Sequence, residues 1–227
     1  MKRKIIGITV GTTMRPSKIK NELKADIDKV NAQIADILYK AIAIDSFTVT
    51  PSTAEIGSTV NAVSLKWALN KAAKSLTLDG KNQTGSGAEL TGLAITENKT
   101  WKLKATDERD ATAEKTATLS FLNGVYYGVS AAPSEYDSAF ILGLTKTLRS
   151  SKLTSITVNA GAGQYIYYCL PKNGKGFGTC SFTVGGFTGG FSLVATIQFK
   201  NASGYTEEYY IYKSDNTGLG STNVTIA

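Results

Sequence analysis

The clearest pattern of hydrophobic and polar positions is a helical one near the beginning of the chain. Aliphatic residues recur there at alternating spacings of four and three, at Leu23, Ile27, Val30, Ile34, Ile37 and Ala41. Two apolar positions in every seven are typical of a coiled-coil seam, and isoleucine at both seam positions favours three strands over two. The pattern predicts a short trimeric coiled-coil helix over residues 21–44. The alternative is a single amphipathic helix that packs on its own domain.

After residue 44 the pattern changes to short stretches in which apolar and polar residues alternate. Such stretches, separated by turn residues at intervals of roughly 8–12 positions, predict β-strands. Residues 45–128 contain about seven of them, with Trp67 on the third, which is typical of an immunoglobulin-like β-sandwich.

The pattern of apolar and polar residues over 129–227 predicts a second antiparallel β-sandwich domain. Its clearest strand is 191–200, where apolar and polar residues alternate. A connecting helix is expected across 135–149, because Ser134 and Asp137 form a plausible helix start. The expected fold class is therefore mainly β, with an N-terminal arm over residues 1–20 and the coiled-coil helix before the two β domains.

Charge is concentrated in the arm and at the start of the predicted helix. The formal charge of the 227 residues is +7, and the first 24 residues hold seven of the 25 basic residues and one of the 18 acidic ones. A nucleic-acid-binding domain has a basic face across its fold, whereas the rest of this chain is nearly neutral. The asymmetry favours an arm that attaches to an acidic or polar partner, with a solvated tail and a nucleic-acid contact as the alternatives.

The composition excludes several classes of enzyme. The chain has no histidine, so it has no Ser–His or Cys–His pair and no HExxH zinc motif. Glu207 and Glu208 are neighbours in a predicted strand and point to opposite faces, so they cannot act as an acid/base pair. We expect no catalytic residues, no metal site, no cofactor and no membrane insertion.

Two residue types leave alternatives open. Seven of the 11 tyrosines lie within residues 165–212 of the last domain, and four of them form a candidate recognition surface, namely Tyr205, Tyr209, Tyr210 and Tyr212. Tyrosine is equally at home in the core of a strand domain. Cys169 and Cys180 could face each other across a hairpin as a disulfide, or remain free, half-buried thiols.

Two regions of the sequence resemble a known class of proteins. The segment IGITVGTTMRPSKI at residues 6–19 resembles the short leader of tail-fibre, head-fibre and baseplate-type virion proteins of bacteriophages that infect gut bacteria. The segments QYIYY (164–168), TVGGF (183–187), NASGYTE (201–207) and YIYKSD (210–215) are similar to a distal domain of such proteins. The resemblance implies that the arm anchors the protein to the virion, through Lys2, Arg3, Lys4, Ile6, Ile8, Val10, Arg15 and Lys18.

Pattern and resemblance together predict a non-enzymatic structural protein of a phage particle, assembled in the host cytoplasm. It would be a homotrimeric fibre whose arm docks on another virion protein of the capsid, portal, collar or tail. Its distal β domain would face solvent, with host adhesion through a surface glycan or protein as a candidate role. The alternative is a secreted bacterial adhesin or carbohydrate-binding module.

Overall fold

The computed structural model describes residues 16–227, which form two helices and sixteen strands. The chain divides after Ala41 into two compact units, a helical one and a β unit that comprises Ile42–Ala227. The fold is mainly β, with several antiparallel sheets, and this part of the sequence prediction is confirmed.

The helix α1 spans Pro16–Ile37. Proline is favoured in the first turn of a helix because its missing N–H has no partner there in any case. The helix therefore begins inside the predicted arm and ends well before residue 44. The predicted seam position Ala41 lies beyond the end of the helix, which is a correction, and the following Ile42 is buried in the β unit with its N–H donating to Asp107 Oδ2 at 3.2 Å.

The first part of the β unit contains eight strands. Their bounds are β1 Ile44–Thr50, β2 Thr53–Glu55, β3 Val63–Leu69, β4 Ser75–Leu78, β5 Lys81–Asn82, β6 Gly87–Leu90, β7 Lys99–Thr106 and β8 Thr112–Ser130. Strands β1, β3 and β6 form a three-stranded sheet, while β5, β4, β7 and β8 follow one another in a nine-stranded sheet. Strand β2 pairs with β8 in parallel.

Alternation along these strands produces one hydrophobic core between the two sheets. Leu65 and Trp67 of β3 face Trp101 and Leu103 of β7 in this first core, and all four are at most 4% exposed. The intervening residues of each strand point away from the core, as expected for strands with one buried face. The two tryptophans of the chain thus share this core.

Strand β8 is 19 residues long and continues past the first core. Leu119 and Phe121 lie in the first core, whereas Val125 lies in a second core. These positions differ by even numbers, so both cores lie on the same face of β8. The predicted boundary at residue 128 falls inside this strand, and the two predicted β domains are instead two lobes, residues 42–122 and 123–227, of one unit.

The second lobe contains the end of β8, a short helix and eight further strands. Their bounds are α2 Ser138–Leu142, β9 Thr145–Arg149, β10 Ser155–Ala160, β11 Tyr165–Pro171, β12 Phe182–Val184, β13 Phe187–Thr188, β14 Phe191–Lys200, β15 Thr206–Ser214 and β16 Gly220–Ile226. The helix predicted across 135–149 is reduced to one turn that Asp137 caps by accepting from Phe140 N–H at 2.8 Å. The rest of that segment includes β9, which pairs with β8.

The second lobe has three layers. Strands β10, β16, β12 and β13 form a four-stranded sheet that encloses the second core together with β8, β11 and β15. The opposite face of β8, β11, β15 and β14 carries a third core, which includes Tyr126 and Ile211. Ile141 of α2 is fully buried in this third core. The β unit therefore has three hydrophobic cores, and the long strand β8 runs through both of its lobes.

Candidate functional site

The helix α1 presents an apolar stripe that is exposed. Its five seam residues are 47% to 81% exposed, and they are Leu23, Ile27, Val30, Ile34 and Ile37. The seam covers about 21 Å of helix at ~1.5 Å per residue. An exposed row of large aliphatic side chains is typical of a protein-interaction surface.

The seam residues carry no polar atom in their side chains, whereas the positions between them are mostly polar, among them Lys24, Asp26, Asp28 and Lys29. Such a helix has its apolar face unburied within the described residues, so its stability in water depends on a partner. The seam is therefore the candidate functional site that the periodicity predicts.

The predicted virion-anchoring residues are mostly outside the described part of the chain. Those that lie outside are Lys2, Arg3, Lys4, Ile6, Ile8, Val10 and Arg15. Lys18 is an exposed residue in the first turn of α1. Its place on the helix corrects the predicted end of the arm at residue 20.

The four tyrosines predicted as a recognition surface do not form one surface. Tyr209 and Tyr212 are buried, Tyr210 is half-buried and Tyr205 is exposed. Tyr209 belongs to the third core and Tyr212 to the second, because the two residues lie on opposite faces of β15. The surface interpretation is therefore wrong for Tyr209 and Tyr212, for which the alternative of core packing is found.

Both buried tyrosines use their hydroxyl groups inside the fold. Tyr209 donates to the carbonyl oxygen of Gly124 at 2.7 Å, and Tyr212 accepts from the N–H of Cys180 at 3.1 Å. Burial raises the pKa of both phenols above the ordinary value. These tyrosines are structural groups with neutral hydroxyls.

A polar junction joins the two lobes beside β8. Glu55 of β2 is 9% exposed, and its carboxylate accepts from Tyr126 Oη at 3.1 Å and from Lys146 Nζ at 3.0 Å. The Asn201 side chain donates to the carbonyl oxygen of Ile56 at 2.8 Å. These bonds connect residues that are 71 to 145 positions apart, so they hold the lobes together.

Gly57 allows a close contact at this junction. Its φ is +85°, and a Cβ atom there would overlap the Cβ of Tyr205. Tyr205 is one of the predicted recognition residues, and its contact with Gly57 places it against the first lobe. Sequence reasoning missed the junction, because its members are far apart and have no common spacing.

The two cysteines are free thiols. Cys169 lies in the third core, whereas Cys180 packs beside the second core on the other side of β11. Of the two alternatives for this pair, a hairpin disulfide and free thiols, the structure has the free thiols. Burial raises the pKa of Cys169 and raises that of Cys180 to about 11, so both groups are protonated at neutral pH.

The buried carboxylates of the β unit have structural partners. Asp107 is 1% exposed and accepts from the N–H groups of Arg109 and Ala111 at 2.9 and 3.1 Å, and it pairs with Lys71 at 2.7 Å. Within residues 16–227, no three His, Cys, Asp or Glu side chains come close enough together to hold a metal ion. None of the helices in this range has the length and hydrophobicity to span a membrane.

Comparisons with known proteins give little similarity. No family model and no curated protein matches the sequence. A similar solved structure is the crystal structure of Down Syndrome Cell Adhesion Molecule isoform 1.30.30, N-terminal eight Ig domains, with 12% sequence identity and a TM-score of 0.25. The alignment covers 82% of this chain, which spans 23% of that structure.

Proposed function

We propose that this protein is a non-enzymatic structural protein of a bacteriophage particle, a homotrimeric fibre. The N-terminal arm attaches it to a capsid, portal, collar or tail protein, and three copies associate through α1. The β unit is the part held outward, with host adhesion as its role. The protein is assembled in the host cytoplasm and resides in the virion.

The observation that carries this proposal is the exposed seam of α1. Burying one such aliphatic side chain contributes about 1.5–3 kcal/mol, so an apolar stripe of five is a strong driving force for association. Isoleucine fills both first positions of the heptads, Ile27 and Ile34, and one of the three fourth positions, Ile37, and isoleucine at both kinds of position favours three helices over two. Three identical chains with closed symmetry must be parallel, which places all three arms at one end.

The seam needs support from other contacts, because Leu23 to Ile37 make only about two heptads and coiled coils are usually sustained over at least three to four. We assign that support to the β unit, or to the virion partner that binds the arm. The two lobes of the β unit are joined by β8 and by the hydrogen bonds of Glu55, and this arrangement suits a rigid spacer.

The first lobe is the part that we assign to the immunoglobulin-like class. Its three-stranded sheet, its β5-β4-β7-β8 sheet and the parallel pairing of β2 with β8 match the sheet arrangement of such domains. Domains of this architecture serve as spacers and adhesive modules, so the class alone does not choose between the two roles.

The association is tested by light scattering on the purified full chain. We expect a mass of about three times the 24.1 kDa chain mass. Ile27→Asp with Ile34→Asp should give a monomer whose β unit is folded, since the charges would be buried in the seam. The matched control is Asp28→Asn with Lys29→Gln, outside the seam, which should leave the trimer intact. A wild-type monomer at micromolar concentration contradicts the proposal.

The virion role is tested by removal of residues 1–15. We expect a soluble trimer that is no longer incorporated into particles, because seven of the eight predicted anchoring residues are removed while α1 is kept whole. Incorporation is measured by mass spectrometry of purified particles. Normal incorporation of the truncated chain contradicts the anchor, and secretion of the intact protein by a bacterium supports the adhesin alternative.

A further inference from the structure

A second surface of the protein has the form of a small ligand site. A cavity of about 200 Å³ lies beside the β12–β13 hairpin in the second lobe. It is lined by Val184, Phe187, Thr188, Gly189, Gly190, Asn216 and Leu219. We propose that this cavity binds one neutral sugar residue of a glycan, with the Phe187 ring as its stacking platform.

The Phe187 ring is 81% exposed, as much as any large hydrophobic side chain in the described residues. It follows two glycines and is followed, after Thr188, by two more, so the ring is not covered by neighbouring side chains in sequence. Leaving an aromatic ring in water has a cost that folding does not recover here. An aromatic face attracts the polarised C–H groups of a pyranose ring, because the face carries partial negative charge.

The floor of the cavity is fixed by the second core. Val184 and Leu219 are partly buried and pack against that core. Phe182 and Phe191, which flank the hairpin, stack with ring centroids 4.4 Å apart. The hairpin is closed by a hydrogen bond from Gly189 N–H to the Phe182 carbonyl at 2.8 Å. The site is therefore largely formed before a ligand arrives.

The rim supplies hydrogen-bonding groups suited to sugar hydroxyls. The backbone of Asn216 is held by a bond from Ser214 Oγ to its carbonyl oxygen at 2.8 Å, and Ser214 Oγ in turn accepts from Ile166 N–H at 2.9 Å. The side-chain amide of Asn216 is exposed and makes no hydrogen bond within residues 16–227, so one donor and one acceptor group face solvent at the rim. The Thr188 hydroxyl is not one of these groups, because it lies on the opposite face of β13 from Phe187, 3.5 Å from the Thr183 hydroxyl.

The charge of the site favours a neutral sugar over an acidic one. None of the seven lining residues is charged. The nearest carboxylate in sequence, Asp215, is bound to the wall of the site, because its N–H donates to the Gly190 carbonyl at 2.9 Å and its Oδ1 accepts from Ser192 Oγ at 2.7 Å. This negative group at the rim disfavours sialic and uronic acids.

The size of the cavity limits the ligand. Drug-sized ligands occupy pockets of about 300–1,000 Å³, so a cavity of about 200 Å³ accommodates a single ring, at a chain end or a branch. A ligand of that size with one stacking platform has a Kd of about 1 mM for a single site. The biological meaning of such weak binding rests on the proposed function, since three linked copies raise the avidity by about 10²–10⁴-fold.

The experiment is saturation-transfer NMR on the full chain, with the methyl glycosides of glucose, galactose, mannose and N-acetylglucosamine as probes. Concentrations of about 1–20 mM cover the expected Kd. We expect transfer to at least one of the four, and less to the methyl glycoside of sialic acid. No transfer to any neutral glycoside, or stronger transfer to the sialic acid glycoside, overturns the proposal.

Variants connect the signal to the cavity. Phe187→Ala should weaken binding at least 10-fold and Phe187→Trp should retain it, since the larger ring offers the same face. Leu142→Ala is the matched control, because Leu142 is a 40% exposed apolar residue of α2. Equal binding by Phe187→Ala and the wild type overturns the proposal. The mass of the same sample, measured by light scattering, reports separately on the trimer, so a monomer that binds sugar contradicts the fibre and supports the site.

Discussion

The helix α1 and the β unit use apolar side chains in opposite ways. In the β unit, Leu65, Leu103 and Leu119 are completely buried, and their partners come from strands of the same chain. In α1, Ile27 and Ile34 are about half exposed although they follow an equally regular pattern. A regular apolar pattern therefore indicates that a face of the element needs burial, but it does not indicate which molecule covers that face.

The largest effect should come from breaking the first core. Leu103→Ala should lower the free energy of unfolding of the β unit by about 2–5 kcal/mol, because the truncation leaves a cavity. Chemical denaturation followed by tryptophan fluorescence measures it, since Trp67 and Trp101 both lie in this core. The matched change in the helix, Ile34→Ala, should alter that free energy by less than about 0.5 kcal/mol while it weakens association. Similar losses from both changes would contradict the comparison.

The two lobes should unfold together. Strand β8 contributes Phe121 to one core and Val125 to another without a break, so neither lobe can lose its sheet independently. We expect the tryptophan transition, which reports the first lobe, to coincide with hydrogen exchange of β11 and β15 amides in the second. Leu103→Ala should lower the free energy of unfolding measured by tryptophan fluorescence and the one measured by hydrogen exchange by the same amount. A separate transition of the second lobe would restore the two-domain interpretation.

A smaller effect is expected at the lobe junction. Tyr126→Phe removes the hydroxyl that donates to Glu55 at 3.1 Å, and we expect a loss of about 1–3 kcal/mol in the free energy of unfolding. Tyr210→Phe is the control, because Tyr210 is half-buried and its hydroxyl is not part of the junction. Equal effects of the two substitutions would show that the junction hydrogen bond does not stabilise the β unit.

The smallest effect is a pH dependence from Cys180. Burial raises the pKa of its thiol from 9.0 to about 11, so the folded protein retains the proton over a range in which the unfolded chain releases it. Stability from this source is present below about pH 9 and is lost as the pH rises toward 11. Unfolding free energies at about pH 8 and about pH 10.5 should therefore differ less in Cys180→Ala than in the wild type. The same difference in both proteins would contradict the effect.

Several elements could be read from the chain because they depend on local pattern. The spacing from Leu23 to Ile37 predicts the helix, and strand 191–200 is found at its predicted bounds. The predicted helix start, with Ser134 as the first residue of a capping box, is three residues early, because Asp137 caps the observed helix. The helix predicted across 135–149 is wrong beyond its first turn, because Thr145–Arg149 pairs with β8 as a strand. Pairing with a distant strand outweighs the weak helical pattern of this segment.

The sequence alone determined the periodicities: a heptad seam, alternating strands, and a composition without histidine. Tertiary structure decided the pairings between distant segments. It placed Tyr209 and Tyr212 in separate cores, joined Glu55 to Lys146 across 91 residues, and made one strand serve both lobes. The physical reason is that alternation fixes which side chains share a face, whereas the identity of the covering layer depends on contacts that have no spacing in the chain.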